Sequence, residues 1–242
     1  MVPAPIFLRL FALPDDQFGA LAQRAQDHLP VAEGAELRAV DDPVIRSRRT
    51  LRRALARRVL GDMLGLAPAA VPIVRAGRGK PELSVPFVFN SASRAELVAV
   101  ACSRDGPVGV DIEAREPRFS AAVEGLLEGW MTSGLRRTFG RDGCAPFRAW
   151  TAVEAIRKAS GDGIGLGNFR LTSCARAPAV IREEAQGEMR FWRLHQFTAP
   201  AGNAAGRSVV GSLAWPSSPD PSDRQIRLER LDAEETTDYL MG

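Results

Sequence analysis

Long apolar runs are missing from this 242-residue chain: Arg, Asp or Pro interrupts each one well short of the roughly 20 residues that a bilayer requires. That excludes a helical membrane span. Pro3-Ala4-Pro5 spoils a signal-peptide reading of the start, so the cytoplasm is the expected location. Cysteine is scarce as well. Cys102, Cys144 and Cys174 are odd in number, widely spaced and without a C-x-x-C pair, which argues against a disulfide framework and a structural zinc site and leaves buried, reduced thiols. Lysine is scarcer still: among 32 basic residues only Lys80 and Lys158 are lysine. So strong a bias reflects a GC-rich genome more readily than physics, and it singles out the two positions that resist it. A site built around one phosphate oxygen can require the compact ammonium rather than the planar guanidinium fork.

What is present describes an ordinary globular protein, with 45% hydrophobic and 25% charged residues and a net charge of +3. Ile6 to Leu13 reads as a strand, and Asp15 to Leu29 as a helix closed by Pro30, followed by a short polar stretch. Pro43 to about Leu64 reads as a longer helix with Leu51, Leu55, Val59 and Met63 as its buried stripe. Its first half is dense in arginine: Arg46, Arg48, Arg49, Arg52, Arg53, Arg57 and Arg58. Most of these are expected to be a solvated face, and those nearest a site could hold an anion or an acidic partner.

Glycines and a proline in Gly77-Arg78-Gly79-Lys80-Pro81 make a turn able to cradle phosphate. Val85 to Asn90 and Glu96 to Cys102 read as strands joined by the polar connection Asn90 to Arg94, and a turn at 103–107 leads into a strand at Gly109 to Glu113. An irregular helical stretch from Ala121 to about Phe139 precedes the helix that carries Trp150 to Lys158, which Gly161 to Gly167 stops as a turn. Phe169 to Cys174, Met189 to Phe197 and Ser208 to Trp215 alternate as strands of an antiparallel sheet, with His195 a packed strand residue. Pro216 to Asp223 reads as a linker, and the remainder to Gly242 as a charged tail.

Two segments carry chemistry. In Gly109-Val110-Asp111-Ile112-Glu113 the carboxylates stand two apart in a β-prone run, so both project from one face of a strand. Trp150, Glu154 and Lys158 recur every four residues and stack along one helical stripe. Three converging carboxylates repel one another unless a cation sits among them, and all-oxygen ligation suits a hard ion, Mg²⁺ before Zn²⁺. Lys158 would then face a phosphate. Seen alone, either segment reads just as well as strand-end polar residues or as a surface helical pair.

Together the segments resemble the 4′-phosphopantetheinyl transferases, of the two-subdomain, surfactin-type branch. The signature G-[IV]-D-x-E strand is followed by a W-[ST]-x-K-E-[AS]-x-x-K helix, and Asp111 stands 39 residues before Trp150 (150 − 111). Upstream, the family's G-K-P turn is similar to Gly79-Lys80-Pro81, and its F-N-x-S-H-S stretch to Phe89-Asn90-Ser91-Ala92-Ser93-Arg94. The resemblance covers roughly residues 43 to 215. It implies an α+β fold of two similar subdomains, each a small antiparallel sheet packed with helices, at residues 1–105 and 106–215, with 216–242 as linker and tail. It implies coenzyme A as substrate in the cleft between them, Mg²⁺ on Asp111, Glu113 and Glu154, and coenzyme phosphates on Arg49, Lys80 and Lys158. Glu154 is the implied general base, and the partner an acyl or peptidyl carrier protein whose acidity suits an arginine-rich surface; a monomer is expected.

Two positions depart from the pattern. The family histidine falls on Ser93, and its contact with the adenosine 3′-phosphate could be covered in part by Arg94. The lysine before the helical glutamate falls on Val153. Both point toward weaker coenzyme binding, so a silent homologue that binds coenzyme A or carrier protein is the first alternative. A nucleic-acid binder using the arginine helix is the second, disfavoured by near-balanced charge and the lack of aromatic residues in that helix.

Overall fold

Alternation along the first strand decides the layering of the molecule. In the computed structural model, which describes residues 4–14, 18–74, 80–114, 120–162, 169–174, 177–200, 208–217 and 224–242, β1 (Ile6–Ala12) sends Ile6, Leu8 and Leu10 to one side and Phe7 and Phe11 to the other. The chain continues through α1 (Phe18–Arg24), a single 3₁₀ turn, α2 (Val31–Arg38), α3 (Pro43–Leu64), a two-stranded pair β2 (Ile73–Val74) and β3 (Glu82–Leu83), β4 (Val88–Arg94) and β5 (Leu97–Ser103). The second half comprises β6 (Gly109–Ala114), α4 (Ser120–Trp130), α5 (Ser133–Thr138), α6 (Ala145–Ser160), β7 (Phe169–Cys174), β8 (Ala177–Ala185), β9 (Glu188–Pro200) and β10 (Ser208–Pro216). β11 (Ile226–Leu231) and α7 (Ala233–Met241) close the chain.

The first sheet runs β11-β1-β5-β4 and the second β6-β10-β9-β8-β7, the latter antiparallel throughout. Both faces of β5 are buried, which is why its sequence is a continuous apolar run. Val98, Val100 and Cys102 meet α3 on one side, while Leu97, Ala99 and Ala101 meet Val110, Ile112, Phe197 and Leu213 of the second sheet on the other. Helices α4 to α6 cover the far face of the second sheet. The layers are therefore helix, sheet, sheet, helix, an α+β fold with one apolar core shared between the sheets.

Local signals account for the elements that bound the site. Asp42 caps α3 by accepting from the Val44 and Ile45 amides at 2.8 and 3.0 Å, Pro43 occupies its first turn, and Gly65 ends it at φ +68°. The helix expected at 43–64 is α3 as found. Elsewhere the structure corrects the sequence reading. The polar stretch after Pro30 forms α2, Asn90 to Arg94 belongs to β4 rather than to a connection, and the turn is at Ala95 and Glu96, with Ala95 at φ +49°. Of the three free thiols only Cys102 is buried; Cys144 and Cys174 are partly exposed.

Residues 226–241 are not a tail. β11 pairs in parallel with β1 along Ile6 to Phe11, and Asp232 and Glu235 form a reciprocal capping box that opens α7. Tyr239 stacks on Phe11 at 5.5 Å, and the His28 imidazole donates to the Leu240 carbonyl at 2.5 Å, so the C-terminal elements complete the first half. Parts of several sequence expectations (residues 15–17, the 77–79 end of the glycine turn, 163–167 and 218–223) lie outside the described residues.

Candidate active site

The period of two along β6 divides its side chains between two jobs. Val110 and Ile112 enter the shared core, and Gly109, Asp111 and Glu113 face the other way, toward α6. Gly109 sets the distance: a Cβ there would lie 2.0 Å from the Ala155 carbonyl oxygen and 2.5 Å from the Ala159 nitrogen, so only glycine allows α6 this close to β6. That approach brings two parts of the acidic site into contact. Lys158 Nζ donates to Asp111 Oδ1 at 2.6 Å and to the Val110 carbonyl at 3.3 Å, and Glu154 stands one turn before it on α6.

Burial governs the charges. Asp111 is 7% exposed, and burial pushes its carboxyl above the ordinary aspartate range, with the Lys158 ammonium pulling it partly back. Glu154 is raised to about 7, first by burial, then by the charge of Asp111, against the opposing effect of Lys158. A carboxyl titrating near neutrality can take up and give back a proton under physiological conditions. Glu113 forms an ion pair with Arg94, 2.9 Å from its Nε.

The first half reaches the site through β4 and Lys80. Asn90 Oδ1 accepts from the Val110 amide at 2.9 Å and ties β4 to β6, a linking role that the sequence reading did not assign to it. Lys80, its pKa lowered by burial, donates to the Lys158 carbonyl at 2.9 Å and the Val108 carbonyl at 3.3 Å, pinning the C-terminal end of α6. Ser93 is half-buried on β4, opposite Val98 of β5. Arg49 is exposed on α3, one turn before Arg52 and Arg53, which line a recess of about 110 Å³ with Asn90 and Ser91. A larger cleft of about 830 Å³ opens between the halves at Lys80, walled by Phe87, Phe89, Phe191 and Trp192 with Arg104 and Arg190. Asp111, Glu113 and Glu154 do not line it.

Structure thus joins Asp111, Glu154 and Lys158, adds Arg94 to Glu113, and leaves Arg49 apart from them. Val153 is fully buried in the second core, a quarter-turn away from Glu154, so its apolar side chain is a packing residue. Among the described residues no group of three metal-ligating side chains is assembled. The donor chemistry nonetheless fits a hard cation at Asp111 and Glu154. Asp111 Oδ2 is buried without a hydrogen-bond partner, and the proton affinity of Glu154 comes partly from the neighbouring charge.

Two comparisons with known proteins give one family description. Residues 107–210 match the 4′-phosphopantetheinyl transferase superfamily. The chain is also similar to the 4′-phosphopantetheinyl transferase HetI of Nostoc sp. (strain PCC 7120), with 27% identity over 222 residues that cover 86% of this chain and 89% of that protein. No helix among the described residues is long and apolar enough to cross a membrane. The matched segment holds both β6 and α6, the two elements that build the acidic site, so it is this part of the chain that is similar to the 4′-phosphopantetheinyl transferase superfamily.

Proposed function

We propose that this protein transfers the 4′-phosphopantetheine group from coenzyme A to a serine of an acyl or peptidyl carrier protein, in a Mg²⁺-dependent reaction. The observation that carries the reading is the close pairing of Asp111, Glu154 and Lys158 across β6 and α6, within the segment that matches the superfamily. The serine Oγ forms a bond to the β-phosphorus of the coenzyme pyrophosphate. The bond from that phosphorus to the bridging oxygen breaks, and adenosine 3′,5′-bisphosphate leaves with the electron pair.

Each residue has a task in that scheme. Glu154, poised near neutrality, accepts the serine proton directly or through a water. Lys158 neutralises Asp111 and stands beside the place where charge gathers on the pyrophosphate. Asp111 and Glu154, joined by Glu113, would hold Mg²⁺, which when bound supplies electrostatic stabilisation of the phosphoryl oxygens. Lys80 holds the end of α6 in register and lines the cleft, and Arg49 belongs to the basic surface offered to phosphate or to an acidic carrier.

Incubation with coenzyme A, Mg²⁺ and an apo carrier protein tests the reading, with intact-mass measurement of the carrier. The expected outcome is a phosphopantetheine increment that Asp111→Asn reduces by at least about a hundredfold. No increment on any of several carriers, with carrier or coenzyme still bound, would make this a silent homologue instead.

A further inference from the structure

The residue directly opposite Asp111 on the neighbouring strand β10 is Ser212, and both side chains turn toward α6, where Asp111 meets Lys158 and Ser212 meets Thr151. Opposed side chains on one face of an antiparallel pair stand about 5 Å apart at Cβ, so the Ser212 hydroxyl is a neighbour of the Asp111 carboxylate. That carboxylate has an oxygen to offer. Lys158 Nζ takes Oδ1 at 2.6 Å, whereas Oδ2 is buried without a hydrogen-bond partner. A buried carboxylate oxygen draws a donor within its reach. Ser212 nevertheless directs its hydroxyl elsewhere, to Thr151 Oγ1 at 2.9 Å, and Thr151 and Ser212 are both fully buried.

The ends of this hydrogen-bond chain fix the direction of its protons. The Arg148 carbonyl can only accept, so the Gln196 atom 3.1 Å from it is the amide nitrogen, which also donates to Ser212 Oγ at 3.4 Å. Thr151 spends its one hydroxyl proton on the same carbonyl, at 3.1 Å. Ser212 is therefore the donor to Thr151, and its one proton is committed. The order runs from Gln196 on β9 through Ser212 on β10 to Thr151 and the Arg148 carbonyl on α6.

We propose that Thr151 is a positioning residue that acts through Ser212: by taking the Ser212 proton it leaves Asp111 Oδ2 unclaimed, and without it the Ser212 hydroxyl swings onto that oxygen. This rests on the functional reading above and deepens it. Thr151 stands three residues before Glu154 on α6. An Asp111 held by both Lys158 and Ser212 has less charge to give to the groups that react beside Glu154.

Four forms of the full chain test this: the wild type, Thr151→Val, Thr151→Ser, and Thr151→Val combined with Ser212→Ala. Transfer to an apo carrier is followed by intact mass against coenzyme A concentration, and the crystal structure of each form is determined. Thr151→Val keeps the shape of the side chain and removes the acceptor, so kcat is expected to fall about tenfold with the coenzyme KM within about twofold of wild type. Thr151→Ser keeps the acceptor and stays near wild type. Adding Ser212→Ala to Thr151→Val removes the released proton and is expected to restore kcat to within about threefold of wild type, a recovery that a residue merely holding α6 in place does not give. In the Thr151→Val crystals Ser212 Oγ is expected within hydrogen-bond distance of Asp111 Oδ2. An unchanged kcat in Thr151→Val, or a double variant no faster than that single one, overturns the proposal, as does a Ser212 hydroxyl that stays off Asp111. Failure of the functional reading shows differently: the wild type transfers nothing to any carrier, and the position of Ser212 in the Thr151→Val crystals then decides alone.

Discussion

Arg57 on α3 and Arg157 on α6 are almost equally buried, at 2% and 3% exposure, yet the two halves of the molecule hold them differently. Arg57 makes a two-pronged pair with Glu33, both contacts at 3.1 Å, and spends its remaining nitrogen on the Pro68 and Val71 carbonyls. It fastens α2 and the turn after α3, and its partner Glu33 keeps 12% exposure. Arg157 belongs to a chain of charges. It donates to the fully buried Glu183 at 2.8 Å and to Asp162 at 3.3 Å, and lies over the Phe169 ring at 4.5 Å. Glu183 also accepts from Trp192 Nε1 at 2.7 Å, and Asp162 takes Arg190 at 2.8 Å. The second network grips the helix that carries Glu154 and Lys158, one residue away from Lys158. Burying an ion pair is rarely the cheapest way to stabilise a core. Its use on α6 fixes the rotation of the helix, which an apolar contact specifies less sharply.

The largest effect follows from cutting the second network. Glu183→Gln leaves the Arg157 charge buried with only part of its compensation, and is expected to cost about 3–5 kcal/mol in urea unfolding and to lower coenzyme turnover with it. Replacing both partners, Arg157→Met with Glu183→Leu, is expected to recover most of the stability, because no charge is then left unpaired. Recovery of stability without recovery of turnover would show that the network positions α6 rather than merely holding it.

A smaller effect is expected in the first half. Glu33→Gln leaves Arg57 with two carbonyl acceptors and a path to water, so the expected cost is about 1–2 kcal/mol, with coenzyme affinity unchanged in calorimetry. A cost equal to that of Glu183→Gln would erase the contrast between the halves. A loss of coenzyme affinity would move α2 into the site.

How far all this was legible depends on whether the signal was local. The bounds of α3 stood in Asp42, Pro43 and Gly65, and the same-face pairing of Asp111 with Glu113 stood in the period of a strand. Long-range contacts were not legible. Nothing in Ile226 to Leu231 announces a parallel partner 220 residues upstream at β1, although the Asp232 and Glu235 capping box was a readable start for α7. The role of Gly109 in β6 emerges only once α6 lies against it, and the ion pair of Arg94 with Glu113 only once Asn90 to Arg94 is seen to be strand. Arg157 looked like one more arginine in an arginine-rich chain, since its partner Glu183 sits on β8, a strand whose charged sequence hid it.

The smallest effect is one of pH, and it belongs to the helix that Arg157 anchors. In the unfolded chain Glu154 titrates near its ordinary value of 4.5, whereas in the folded protein it is raised to about 7. Between those values the folded state keeps a proton that the unfolded state has released, so its contribution to stability is present below the lower value and is lost as pH rises through the upper one. Asp111, raised by burial, acts in the same direction. Glu154→Gln removes the Glu154 part of this slope. In thermal unfolding without divalent ions, the variant and the wild type are expected to melt together near pH 4.5, with the variant gaining up to about pH 7 and the gap levelling off above it. A gap that stays constant across the range would mean that Glu154 ionises in the folded protein as it does in the unfolded one, and that α6 does not hold a proton-accepting carboxyl poised near neutrality.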